Sequence, residues 1–143
     1  MEERFVSNWE GLCETYESQG YGALSQSERL WFNVRALIDS IQNGGMISYF
    51  YNSAADHLGD CLAALRQLRA SNVQPQVLRM CSLFPDGVPA TVDGRNNVIN
   101  NWNEERIEGT LDEIDEATEP WLADLERRLS KAISNNFESI GGN

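Results

Sequence analysis

The chain has 143 residues, and its 22 Asp and Glu outnumber its 11 Lys and Arg, giving a formal net charge of −11. A chain of this length buries a hydrophobic core without metal or disulfide staples, so one acidic domain spanning 1–143 is expected. An isoelectric point near 4.4 excludes direct binding to nucleic acid or to anionic membranes, both of which need a basic footprint, and points to basic proteins as partners.

Phe5, Trp9, Leu12 and Tyr16 recur at helical spacing and predict a first helix, ended by Gln19–Gly20–Tyr21–Gly22. Ser27 reads as the N-cap of a second helix that buries Leu30, Val34, Leu37, Ile38 and Ile41, and Asn43–Gly44–Gly45 stops it. Met46 to Asn52 is short and aromatic-rich. Periodicity alone allows strand or helix there, and the helical neighbours favour helix. Ala54 to Leu68 predicts an amphipathic helix with Leu58, Cys61, Leu62, Leu65 and Leu68 inward. Pro75 suits the first turn of the next, with Val77, Leu78, Cys81 and Phe84 apolar, and Pro85 to Pro89 is a loop. Asn96 to Trp102 is a weaker helix because of its asparagines. Thr110 with Glu113 forms a capping-box pattern. A last helix from about Pro120 to Phe137 carries Leu122, Leu125, Leu129 and Ile133 on one face, and Gly141–Gly142–Asn143 is expected to fray. No segment demands a sheet. The fold class expected is all-α, an irregular bundle of about six to eight helices rather than a simple up-down one.

Cys13, Cys61 and Cys81 are odd in number and widely spaced, which fits free thiols in a reducing cytosol and not a zinc site. The acidic opening, MEERFVSNWE, predicts no signal peptide, and no run is long and apolar enough to span a membrane; a cytoplasmic protein is expected. His57 is the sole histidine, so the usual triad and acid–base schemes lose their base, and neither a metal, a cofactor nor a catalytic residue is expected.

The strongest feature is Glu104 to Glu126, where ten carboxylates face one base, Arg106. On a helix, Asp112, Asp115, Glu116 and Glu119 share a side opposite Leu111, Ile114 and Thr118. Extension back through Gly109 adds Glu104 and Glu108 to that row. Such runs ordinarily form a solvated face. Here lysine is almost absent, and like charges at i, i+4 destabilise a helix by about 0.2–0.5 kcal/mol per pair, which argues for a use.

Three segments in order resemble a bacterial domain family that includes a DNA-mimic protein. They are Asn43–Gly44–Gly45–Met46 with Tyr49–Phe50–Tyr51–Asn52–Ser53; Phe84–Pro85 with Pro89, Asp93 and Arg95; and Leu111–Asp112 with Ile114–Asp115. The resemblance covers about residues 25–137. It implies an all-helical, acidic, cytosolic domain, often a homodimer, with a member that occupies the DNA-binding surface of a transcription regulator. It also implies structural roles: Gly44 and Gly45 as a helix break, Tyr49 and Phe50 as core, Asp93 and Arg95 as a buried or loop-fixing pair. The chain departs from the pattern at Met46, where an aromatic is usual, and at Ala117–Thr118, which replace a bulky aromatic pair.

The reading that follows is a non-enzymatic DNA mimic. Its partner is a basic DNA-binding protein such as a transcription regulator, gripped through Glu104, Glu105, Glu108, Asp112, Asp115, Glu116 and Glu119. An immunity or antitoxin-like inhibitor of a basic toxin would use the same face. An enzyme would instead need two convergent carboxylates of perturbed pKa in a cleft.

Overall fold

The computed structural model describes residues 2–141, with side chains over 9–135. Among the described residues eight α-helices follow one another: α1 (Glu2–Gln19), α2 (Gln26–Gly44), α3 (Met46–Tyr51), α4 (Leu58–Gln67), α5 (Gln74–Cys81), α6 (Val92–Asn100), α7 (Glu104–Thr118) and α8 (Leu122–Gly141). Short 3-10 turns at Tyr21–Ala23, Ser53–His57 and Glu119–Trp121 link them, and there is no strand among the described residues. The all-α, irregular architecture expected from the sequence is what the chain adopts.

α2 is the central helix. Leu30, Trp31, Val34, Leu37, Ile38 and Ile41 are buried along it, and it packs against α3, α4 and α8. Its start is fixed two residues earlier than Ser27: the Ser25 hydroxyl accepts from the Glu28 N–H (3.2 Å), while the Glu28 carboxylate accepts from the Ser25 N–H (2.8 Å). Leu12 is buried and Trp9 lies against Trp31 with ring centroids 5.3 Å apart, which anchors α1. The Phe5 side chain and the terminal Gly142–Asn143 lie outside the described residues. Leu122, Leu125, Leu129 and Ile133 are the buried face of α8.

Two further expectations are corrected, on Ala54 to Leu68 and on Thr110. Ala54 to Leu68 is not one helix, because a 3-10 turn over Ser53–His57 precedes α4; Cys61, Leu65 and Leu68 are buried, whereas Leu58 and Leu62 are half-buried. Leu78, on the outer side of α5, is 49 % exposed. Thr110 does not begin a helix. α7 starts six residues earlier, where the Asn103 side chain accepts from the Glu105 and Arg106 N–H groups (3.1 and 3.4 Å).

α3 is only six residues long, yet Met46, Tyr49 and Phe50 on it are fully buried. So short a helix needs outside partners for its free backbone groups. At its N-terminus, the Met46 N–H donates to the Asp115 carboxylate of α7 (2.8 Å). At its C-terminus sits Arg95 of α6, fully buried, whose Nε and Nη2 donate to the carbonyls of Phe50 (2.9 Å) and Asn52 (3.0 Å). The same guanidinium reaches the Pro89 carbonyl (3.0 Å) and the Asp56 carboxylate (2.6 Å). An anion at the positive end and a cation at the negative end suit the helix dipole at both termini.

Arg95 therefore does fix the Pro85–Pro89 loop, but its ionic partner is Asp56. Asp93 is exposed in the first turn of α6, whose N-cap is Thr91. The motif segments are thus joined in space: Gly45 meets Asp115, and Asn52 meets Arg95. Of the motif residues, Asn43 is exposed in the last turn of α2 and Pro85 at a turn, and Asn52 also donates weakly to the Ser40 hydroxyl (3.4 Å). The helix break falls at Gly45, with φ +82°, while Gly44 still belongs to α2. At the two departures from the family pattern, Met46 fills the core and the buried Thr118 hydroxyl donates to the Ile114 carbonyl (2.7 Å).

A carboxylate arc on α7

α7 buries Ile114 and Thr118 and half-buries Ile107 and Leu111, so one stripe of it faces α3 and α5. At 100° per residue, Glu104, Glu105, Glu108, Asp112, Asp115, Glu116 and Glu119 fall within an arc of about 120° beside that stripe. Arg106, the one base on the helix, projects about 140° from the centre of the arc. Gly109 lies inside α7, and a Cβ there would meet nothing within 4 Å.

The ten carboxylates of Glu104 to Glu126 divide into three sets. Glu113 pairs with Arg79, Glu126 with Arg35 (2.8 Å), and Asp124 with Arg127 and Arg128. Hydrogen bonds from Arg128 and then Arg127 hold the Asp124 carboxyl below its usual range. Asp115 forms the second set alone. It is half-buried, and one of its oxygens accepts from Met46 N–H. Of the seven residues expected on the acidic face, it is thus the one engaged in holding the fold. The third set is Glu104, Glu105, Glu108, Asp112, Glu116 and Glu119. All six are exposed, and none makes an ion pair or side-chain hydrogen bond among the described residues. The arginines that neutralise acids in this stretch thus pair with Glu113, Asp124 and Glu126 and leave the six arc carboxylates bare.

Beside the arc lies a feature that the sequence reading missed. Ile47 and Tyr51 of α3, Ile99 of α6, Trp102, and Ile107 and Leu111 of α7 line an open groove of about 400 Å³, together with Glu104 and Glu108. Its residues come from two distant stretches, 47–51 and 99–111, so no local pattern marks it. The one available signal was Ile107 and Leu111 at i, i+4 on the flank of an acidic helix.

His57 is half-buried, with its ring stacked on Tyr21 at 3.6 Å between centroids. The Tyr21 hydroxyl donates to Asp60 (2.5 Å) and accepts from Asn33 (2.9 Å). Burial, then the Asp60 hydrogen bond, pushes the Tyr21 hydroxyl up to about 12. All three cysteines are free thiols, and burial pushes Cys61 up to about 12. No group of three or more His, Cys, Asp or Glu suited to a metal ion occurs among the described residues. No helix among them is long and apolar enough to cross a membrane.

No curated protein and no solved structure matches the chain. A family model described as DMP19-like protein does match, over residues 22–136, and it is the DNA-mimic family that the three sequence segments resemble. The chain belongs to the DMP19-like protein family.

Proposed function

We propose that the chain is a non-catalytic DNA mimic, whose α7 arc occupies the nucleic-acid-binding surface of a basic DNA-binding protein such as a transcription regulator. The observation that carries this reading is the set of six outward, unpaired carboxylates, five on one side of α7 and Glu119 at the start of the 3-10 turn that follows it. A single i, i+4 row gives a charge about every 6 Å, but the adjacent rows of the arc place six charges over about 22 Å, or about one every 4 Å. One strand of DNA presents a phosphate about every 3.4 Å. The arc therefore approaches the linear charge density of a phosphate backbone, and its fixed negative field would draw a cationic surface at high rate and with steep salt dependence. Asp115 lies outside this role, since it holds α3 in place.

The test is capture from lysate of the source organism by the immobilised chain, at low and high salt and with duplex DNA as competitor. The variant combines Glu108→Gln, Asp112→Asn, Glu116→Gln and Glu119→Gln. The native chain is expected to retain a DNA-binding protein that salt and duplex DNA both release, and the variant to retain little of it. Equal capture by the two chains would contradict the reading. Capture of a basic toxin that duplex DNA does not displace would replace it with the inhibitor reading.

A further inference from the structure

We infer that the partner inserts an apolar side chain, flanked by Lys or Arg, into the groove between α3, α6 and α7. The inference rests on the acidic-arc reading and adds to it a contact that no phosphate mimic requires. Charge alone needs no apolar contact, yet a groove whose lining is half apolar and half polar lies against the arc and shares Glu104 and Glu108 with it. Tyr51 on its lining is one of the few large apolar residues left exposed, at 38 %. The indole N–H of Trp102, also on the lining, is shielded and has no acceptor among the described residues.

Charge selects the occupant. A second copy of this chain would bring a further net charge of −11 to a rim that is already acidic. A segment carrying an aliphatic or aromatic residue between basic ones satisfies both the apolar half of the lining and the two glutamates. In such an arrangement the arc supplies attraction and approach rate, while the groove supplies selectivity among basic proteins, because a purely cationic surface cannot fill it.

The experiment titrates the full chain with two synthetic helical 18-residue peptides of equal positive charge at physiological salt. One carries two Leu a helical turn apart among Lys and Arg, and the other carries Ala at both places. The Leu peptide is expected to bind at least tenfold more tightly and to shift the Trp102 indole N–H signal in NMR spectra. Tyr51→Ala, at an exposed position, and Trp102→Phe are each expected to reduce that advantage severalfold while binding of the Ala peptide is unchanged; thermal unfolding confirms that both variants fold. Equal affinity for the two peptides would overturn the groove assignment and leave the arc reading intact. Binding of neither peptide would overturn the groove assignment, and the arc would then stand or fall on capture from lysate. Sedimentation showing a dimer whose contacts map to Trp102 would also overturn it, by giving the groove to a second copy.

Discussion

Arg95 and Asp115 act at opposite ends of the same six-residue helix, and each meets backbone groups that would otherwise be unpaired. Replacing Arg95 with Met strands the Phe50, Asn52 and Pro89 carbonyls and the Asp56 carboxylate. A loss of about 1–3 kcal/mol is expected in denaturant unfolding, as for buried acceptors left unpaired, since Asp56 is exposed and regains water. Arg95→Lys should recover little, because an ammonium lacks the fork that reaches three carbonyls at once. At the other end, Gly45 combines φ +82° with a position where a Cβ would sit 2.7 Å from Asp115 Oδ2. Gly45→Ala is therefore expected to cost at least about 1–2 kcal/mol. Asp115→Ala should cost about 0.5–2 kcal/mol, as the loss of a helix cap does, and Asp115→Asn less, since an acceptor remains. The sequence marked Arg95 as structural and paired it with Asp93 or with a helix end; the end of α3 is where it sits. Residues two apart on a helix do not face each other, and Asp56, 39 positions upstream, is not legible from spacing. Arg69 holds φ +57° at the end of α4, where the Ala70 N–H bonds to the Leu65 carbonyl, a position that ordinarily takes Gly. Arg69→Gly should gain about 0.5–1 kcal/mol in the same assay.

Among the elements, α7 shows where local signals compete. Thr110 and Glu113 match a capping box, but Asn103 offers a cap earlier, and a helix begun there also half-buries Ile107. These gains outweigh the roughly 1 kcal/mol that Gly109 costs inside a helix. Gly109→Ala should therefore stabilise the chain by close to that amount, as its Cβ would meet nothing within 4 Å. The start of α2 was more legible. Ser25 and Glu28 carry the S-x-x-E pattern, and the choice of Ser27 overlooked it. The amphipathic stripes of α2 and α8 were readable because each buries residues at i, i+3 and i+4. The bareness of the arc was not readable, since it depends on where Arg35, Arg79, Arg127 and Arg128 end up in three dimensions. The arc itself works against the helix that carries it. Converting Glu108, Asp112, Glu116 and Glu119 to amides should raise stability by about 0.5–1.5 kcal/mol at low salt, through lost i, i+3 and i, i+4 repulsion. Chemical unfolding at low and high salt checks this: the native chain should gain more from added salt than the amide variant.

For the molecule as a whole, titration works against the fold mainly at high pH. Burial raises the Tyr21 hydroxyl and the Cys61 thiol to about 12, and raises Tyr49 as well, so the folded chain keeps protons that the unfolded chain loses earlier. Their stabilisation is complete below the unfolded values of 9.0 for Cys and 10.0 for Tyr, and it declines as pH rises towards about 12. Tyr21→Phe should make the fall in unfolding free energy between pH 10 and 12 shallower. At neutral pH the dominant whole-molecule property is charge. The arginines neutralise Glu113, Asp124 and Glu126 and leave six carboxylates facing solvent, with a half-apolar groove beside them. The most direct test of the account is the dissociation constant of the captured DNA-binding partner, measured across a series of salt concentrations for the native chain and for the four-amide arc variant. The native chain is expected to lose affinity steeply with salt, and the variant to bind more weakly with a distinctly shallower slope. Identical affinities and slopes for the two proteins would contradict the account.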